Sequence, residues 1–385
     1  MTWDFDQFLQ TDSNCAFKVI IPIDQIKRNK MRPVALIRSF KLLLAVLMAS
    51  LVFAACNRQV QPLAAVNENE EPGKVVVGYI TSWSDRMPAP ELVTHLNYAF
   101  GHVTNGFDSV RIDNPERLHT IVALKASNPH LKVLLSVGGW GSGNFSEMAA
   151  NDERRQTFAR NCRKTIDIYS LDGIDIDWEY PTSNEAGISS SPEDTRNFTL
   201  LMQDLRQAIG ADKLLTFADY ADTTFVDYPN ILPFVDFINL MTYDLADPPF
   251  HHSALFRSEI AAALCVSEAV EHHLEVGVPR TQLVMGMPFY GRASKDYKGQ
   301  RAFGEMTIGS MYSERWDSTA LVPYLVDKNG KMVLAYENMN SIAYKCEYII
   351  EKGLRGAMYW DCDNDDASFT LSRTVWGIIG KEVNE

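Results

Sequence analysis

The stretch Ser170–Pro181 reads SLDGIDIDWEYP. Asp172, Asp175, Asp177 and Glu179 are threaded between Ile174, Ile176 and Trp178. A solvated charge run would not carry those large apolar residues, and an ordinary buried strand would not carry those acids. In an extended strand, residues two apart share a face. Asp175, Asp177 and Glu179 then point one way, and Ile174, Ile176 and Trp178 the other. In a closed barrel the apolar face packs on helices and the carboxylate face lines the interior. Glu179 ends the strand at the mouth, where a general acid belongs, with Asp177 one step below. Asp172 is out of phase, before Gly173, and is read as structural. Carboxylates this close cannot all ionise without cost, so at least one pKa should rise. A calcium or magnesium cluster, or a buried polar network, would use the same residues, and spacing does not separate these readings.

The flanking sequence supplies the rest of a barrel. β-rich runs occur at Val75–Ile80, His95–Phe100, Lys132–Val137, Gly173–Trp178, Leu214–Ala218, Val235–Met241, Leu283–Pro288 and Gly356–Trp360. Helical patterns fall between several of them, at Glu153–Tyr169, Pro192–Ile209, Ser258–Leu274 and Asn338–Lys352. Eight strands with crossovers predict an α/β fold, a (β/α)8 TIM barrel, over residues 74–383. An open doubly wound sheet is the rival, and the lack of a glycine-rich phosphate loop after the first strand counts against it. Between Gly291 and Tyr336 aromatics and glycines replace any long helical pattern. A short α+β-type insertion, about 293–335, is expected there, after the seventh barrel strand.

The N-terminal region reads differently. Met31–Cys56 has a basic start (Arg32, Arg38, Lys41), an apolar run from Leu42 to Ala55, and a cysteine after small residues. That is a secretory signal, too short in its apolar run for a membrane span. The segment Phe53-Ala54-Ala55-Cys56 resembles a bacterial lipoprotein box, with Phe53 where Leu is usual, which implies lipidation of Cys56. A plain signal-peptide end with an incidental cysteine is the alternative. Residues 1–55 are thus read as extension and signal, Met31 as the start, and residues 56–73 as a polar tether. The expected location is a bacterial cell envelope, the protein lipid-anchored at Cys56 and monomeric.

The formal charge is −13. Residues 1–55 carry 4 acids and 7 bases of the chain's 49 and 36, so the remainder holds 45 against 29, a net of −16. Without a basic cluster, that charge argues against a nucleic-acid partner and suits a neutral or cationic substrate. Cys162, Cys265, Cys346 and Cys362 show no zinc spacing. Buried free thiols, or one or two disulfides in an exported protein, are both open.

DGIDIDWE matches the DxxDxDxE signature of glycoside hydrolase family 18, the chitinases and their relatives, at Asp172, Asp175, Asp177 and Glu179. In order along residues 74–380, LLSVGGW (Leu134–Trp140) resembles the family's SxGG segment, NLMTYDL (Asn239–Leu245) its MxYD segment, and GMPFYGR and GAMYWD its seventh and eighth strands. The resemblance implies substrate-assisted hydrolysis, for which the family is a known exception to the two-carboxylate scheme. It implies Glu179 as acid and then base, Asp177 as support for the acetamido group, Asp175 as its proton-sharing partner, and Tyr243 as aligner of the acetamido carbonyl. No cofactor and no metal are implied. The partner implied is an N-acetylglucosamine oligo- or polysaccharide.

Sugar rings have apolar C–H faces, so aromatic platforms are expected around them. Trp360 is assigned to the floor, with Tyr79, Phe100, Trp140, Met241, Asp244, Tyr290 and Arg292 lining the cleft. Gly138 and Gly139 are assigned to structure, and Trp83 is left between cleft and surface. His251 and His252 lack a metal-ligand pattern and are read as loop residues. Asp219, where small or apolar residues are commoner in the family, is expected to alter the site near Tyr243. An active hydrolase of chitin or chitooligosaccharides is the favoured reading. N-glycan or peptidoglycan hydrolysis and a non-catalytic lectin are the alternatives, and the intact Glu179 weighs against the lectin.

Overall fold

The computed structural model describes residues 73–382. The extension, the signal and Cys56 lie outside the described residues, as does nearly all of the tether. Eight parallel strands close on themselves. They are β1 (Val75–Thr81), β2 (His95–Val103), β4 (Lys132–Gly138), β5 (Gly173–Asp177), β6 (Leu214–Tyr220), β7 (Phe237–Met241), β8 (Leu283–Pro288) and β13 (Gly356–Trp360). Pairing of β1 with both β13 and β2 completes the ring. β2 runs on past the barrel into a hairpin with β3 (Val110–Ile112).

Alternation along the strands builds two cores. Val76, Ile80, Leu96, Tyr98, Ile174, Ile176, Leu215 and Phe217 face outward to the helices. Val77, Tyr79, Ala99, Phe237, Val284 and Met358 fill the interior. Trp178 takes the outward phase expected of it. It stacks on Phe145 of α2 (Phe145–Ala149) and meets Phe198 of α4 (Asp194–Ile209) edge-on.

The other helices are α1 (Pro115–Ala123), α3 (Asp152–Tyr169), the single turn α5 (Tyr228–Ile231), α6 (Val266–Glu275), α7 (Met339–Glu351) and α8 (Thr370–Ile379). The first crossover has only a 3₁₀ turn, Pro90–Leu92, because Pro88 and Pro90 interrupt any longer helix. The helix expected over Ser258–Leu274 starts eight residues late, at Val266. The guanidinium of Arg257 takes the Ala262 and Ala263 carbonyls and pairs with Glu268. Cys265 then caps α6, donating its backbone N–H to Glu268 at 3.1 Å. Apolar spacing in Ala261–Cys265 thus packs a loop rather than a helical face.

Between β8 and α7 the chain forms a four-stranded antiparallel sheet, in the order β10 (Ser313–Asp317), β11 (Val322–Val326), β12 (Met332–Ala335), β9 (Arg292–Ala293). Its helical content is one 3₁₀ turn, Phe303–Glu305. Tyr297, Leu325, Val333, Leu334 and Tyr336 give it a small core of its own. All four described cysteines, Cys162, Cys265, Cys346 and Cys362, are buried free thiols.

Candidate active site

Asp175 is fully buried and accepts from Tyr79 Oη (2.8 Å), Ser136 Oγ (2.8 Å), Thr216 Oγ1 (2.6 Å) and Asn239 Nδ2 (3.1 Å). Five barrel strands therefore converge on one carboxylate. Burial raises its pKa, and the four donors oppose that rise. Asp177, one inward step along β5, has the opposite surroundings. Its Oδ1 is buried without a partner. Burial first, then Glu179 and Asp175, push its pKa well above the ordinary carboxylate range. Glu179 stands at the rim, where burial lifts its pKa to about 7; a bond from Tyr180 lowers it and the charge of Asp244 raises it.

The backbone around these acids is held closely. Gly138 has φ of 134°, and a Cβ there would overlap the Asp177 carbonyl. Gly139 donates its N–H to that same carbonyl at 2.9 Å. Asp172 lies at the other end of β5, where it accepts from Val133 N–H (2.8 Å) and Lys125 Nζ (2.7 Å). Cis peptide bonds join Ala99 to Phe100, Glu179 to Tyr180 and Trp360 to Asp361, all at this mouth and with no proline to mark them.

Tyr243 follows β7 and reaches inward to Met358, its hydroxyl 3.7 Å from Sδ. Gly286 on β8 makes room, since a Cβ there would lie 3.0 Å from the ring. Burial, then Asp177 and Glu179, raise the Tyr243 pKa strongly and keep the phenol a donor. Behind it runs a buried network. Thr242 donates to the Gly286 carbonyl (2.6 Å) and Ser253 to the Thr242 carbonyl (2.7 Å). Lys345 donates to Ser253 Oγ (2.7 Å) and Glu337 (2.6 Å). Asp244 takes φ of 56° and sits 3.6 Å from both His252 and Arg292, and these neighbours hold its pKa low against the desolvation that would raise it. Arg292 is also paired with Asp247 at 2.8 Å.

A cleft of about 580 Å³ joins these groups. Tyr79, Phe100, Trp140, Asp177, Glu179, Met241, Tyr243, Asp244, Tyr290, Arg292 and Trp360 all line it, with Asp175 beneath. Trp360 lies between Phe100, stacked at 5.6 Å, and Tyr79, tilted at 5.5 Å. Trp83 and Trp140 stand at the edge, 67% and 62% exposed. Every chemically assigned residue from Tyr79 to Trp360 is thus gathered at one barrel mouth. Among the described residues, no group of three or more His, Cys, Asp or Glu is placed to hold a metal ion.

One expectation is corrected. Asp219 is out of the cleft; it takes the outward phase of β6 and accepts from Tyr228 at 2.8 Å beside His273. Its inward neighbours Ala218 and Tyr220 line the cleft instead. His251 and His252 are loop residues, as read from the sequence, and are buried. His251 pairs with Asp317 at 3.2 Å, and His252 backs Asp244. Tyr180, Glu185 and Tyr220 join the lining unforeseen. Tyr180 was in the opening motif, but a regular strand would have turned it outward, away from the cleft.

The comparisons with known proteins agree with this geometry. The chain is 35% identical over 291 residues to chitinase A1 of Niallia circulans, covering 63% of this chain and 42% of that one. It is 33% identical over 345 residues to chitotriosidase-1 of Mus musculus, covering 76% and 73%. Among solved structures, a family 18 N-acetylglucosaminidase from Paenibacillus barengoltzii superimposes with a TM-score of 0.71 at 32% identity, covering 79% of this chain and 99% of that one. The profile of glycosyl hydrolases family 18 matches residues 75–365, and the chain therefore belongs to that family of glycoside hydrolases.

Proposed function

We propose that this protein hydrolyses β-1,4 bonds of N-acetylglucosamine polymers, chitin or its oligosaccharides, with retention of configuration and with the substrate's own acetamido group as nucleophile. The observation that carries the reading is the pair Asp177 and Glu179. Asp177 is buried with an acceptor oxygen lacking any partner, and Glu179 holds its proton close to neutrality.

Glu179 protonates the glycosidic oxygen as the C–O bond breaks, and the leaving sugar departs as an alcohol. The acetamido carbonyl attacks the anomeric carbon, giving an oxazolinium ion. The acetamido N–H donates to the free Oδ1 of Asp177, which acts in its carboxylate form, reached while Glu179 is protonated and its repulsion is absent, and so offsets the cation. Such preorganised charge acts strongly in a site shielded from water. Tyr243 donates to the acetamido oxygen and fixes the attack angle, so that a bimolecular step becomes an internal one. Glu179, now a carboxylate, takes a proton from water as that water opens the ring. Trp360 and its flanking rings supply the platform for the sugar's apolar face. Asp175, with four donors of its own, stays outside bond-making, and its charge raises the pKa of Asp177 beside it.

The test is product analysis on chitooligosaccharides, a high-mannose glycopeptide and peptidoglycan in parallel, with the anomer of the first product read by NMR. Cleavage of the chitooligosaccharide to the β-anomer is expected. Turnover confined to the glycopeptide or the peptidoglycan reassigns the substrate, an α-anomer removes the mechanism, and binding without turnover on all three makes the protein a lectin.

A further inference from the structure

One part of the cleft wall is built by the loops after β4 and β5 and by the last residue of β6. They contribute Trp140, Tyr180, Tyr220 and Glu185. The rings of Tyr180 and Tyr220 lie 4.8 Å apart, and Trp140 meets Tyr180 edge-on at 6.3 Å. Under the proposed mechanism the leaving sugars sit against Glu179, and the turn that carries Tyr180 and Glu185 continues directly from that residue along the cleft lining. Glu185 is the charged residue in this part of the wall, and among the described residues no cation pairs with its side chain.

The turn that carries Glu185 is fixed. Gly187 N–H donates to the Asn184 carbonyl at 3.0 Å, and Ser183 N–H to the Tyr180 carbonyl at 3.1 Å. Glu185 N–H donates to Ser183 Oγ at 3.3 Å. Pro181 and Ile188 are buried at its two ends. The turn also rests on the neighbouring loop, where a Cβ on Gly141 would lie 3.7 Å from the Ala186 carbonyl. The hydroxyl of Tyr220 feels the arrangement, its pKa raised by burial and then by the charges of Glu185 and Asp222.

The cleft lining carries more acids than bases. Asp177, Glu179, Glu185 and Asp244 line it against one cation, Arg292, which is committed to Asp244 and Asp247. Clefts of one sign concentrate ligands of the other. The proposed nucleophile requires an acetyl group on the cleaved sugar, which excludes a bare amine from that position. A cationic unit is therefore barred from the cleaved position and open to recognition on the leaving-group side.

We propose that Glu185 is a specificity residue that selects partly deacetylated chitin chains, by pairing with the ammonium of a glucosamine unit on the leaving-group side of the scissile bond. This rests on the reading above, that the substrate is an N-acetylglucosamine chain. Cleavage of a mixed chain then gives products with an N-acetylglucosamine at the new reducing end and an enriched glucosamine at or near the new non-reducing end.

The experiment compares kcat/KM on a fully acetylated chitohexaose and on a hexamer carrying one glucosamine unit, for wild type, Glu185→Gln and Glu185→Lys. Products are sequenced by mass spectrometry. The mixed-to-acetylated ratio should fall about fivefold in Glu185→Gln, the scale of one exposed ion pair, and further in Glu185→Lys. Added salt should shrink the wild-type ratio towards that of Glu185→Gln. A ratio unchanged in both variants, with an active wild type, overturns this inference alone. A wild type that turns over neither hexamer overturns the substrate reading and this inference with it.

Discussion

Glu179 keeps its proton near neutrality because burial penalises its carboxylate and Asp244 adds a like charge. Two consequences follow at this one residue. Turnover should fall on the alkaline side as pH rises through about 7, since only the protonated form acts as acid. A rate profile flat from pH 6 to 9 on a chromogenic chitobioside would remove Glu179 from that role. Glu179→Gln keeps the shape and loses the proton, so kcat should drop by at least about 10²–10⁴-fold while oligosaccharide binding by calorimetry persists. The same shift acts on stability. The folded value of about 7 lies above the ordinary 4.5, so the folded state holds more protons than the unfolded one between those pH values. Stability from this group is complete below the lower value and is lost as pH rises through the upper. Glu179→Gln should therefore melt higher than wild type at pH 8, with the gap closing towards pH 4. Asp361, also lifted to about 7 by burial and by Asp363, slopes in the same direction.

At the scale of elements, β5 carried most of what the sequence could disclose. Strict alternation fixes which side chains meet, and alternation is visible in DGIDIDW. Tyr79, Trp360 and Tyr243 were legible for a different reason, since the resemblance placed them at strand ends. Local periodicity could not reveal contacts made by loops. Arg257 capturing the carbonyls of Ala262 and Ala263 leaves no trace in the hydrophobic pattern, and so the helix over Ser258–Leu274 was drawn too long. Asp219 was misplaced by attending to what its position usually holds; its phase in β6, one step from Ala218, already turned it outward. His252 and Glu185 were hidden because their distance from the acids in sequence says nothing of their distance in space. The junction of β4 with β5 yields a prediction of its own. Gly138→Ala puts a methyl on a residue with φ of 134° and against the Asp177 carbonyl. It should cost at least about 2 kcal/mol, a fall of several degrees in melting temperature, and lower kcat by displacing Asp177. A variant with unaltered melting and kcat would show that β4 tolerates a side chain there.

For the whole molecule, the basic-apolar-Cys pattern sets an expectation about where the barrel works. If Cys56 is the lipidated first residue, 17 residues separate it from Lys74, where the barrel begins. Mass spectrometry of the protein recovered from its native envelope should then show a diacylated or triacylated N-terminal Cys56. An intact Met1 or Met31 would sink the anchor. The net charge of −16 beyond residue 55 would repel such a barrel from anionic headgroups.

The buried bond between Lys345 and Glu337 has a practical side for anyone wishing to remodel the cleft wall. Glu337 closes the four-stranded insertion, and Lys345 hands its hold through Ser253 to Thr242, the residue before Tyr243. The insertion is thus a module with a fixed hinge pin. Segments from Ala293 to Tyr336 can be exchanged for longer or shorter ones borrowed from relatives, whereas a graft that cuts past Tyr336 strands an ammonium in the interior and unseats the tyrosine across the barrel wall. A designer should place the seam before Glu337.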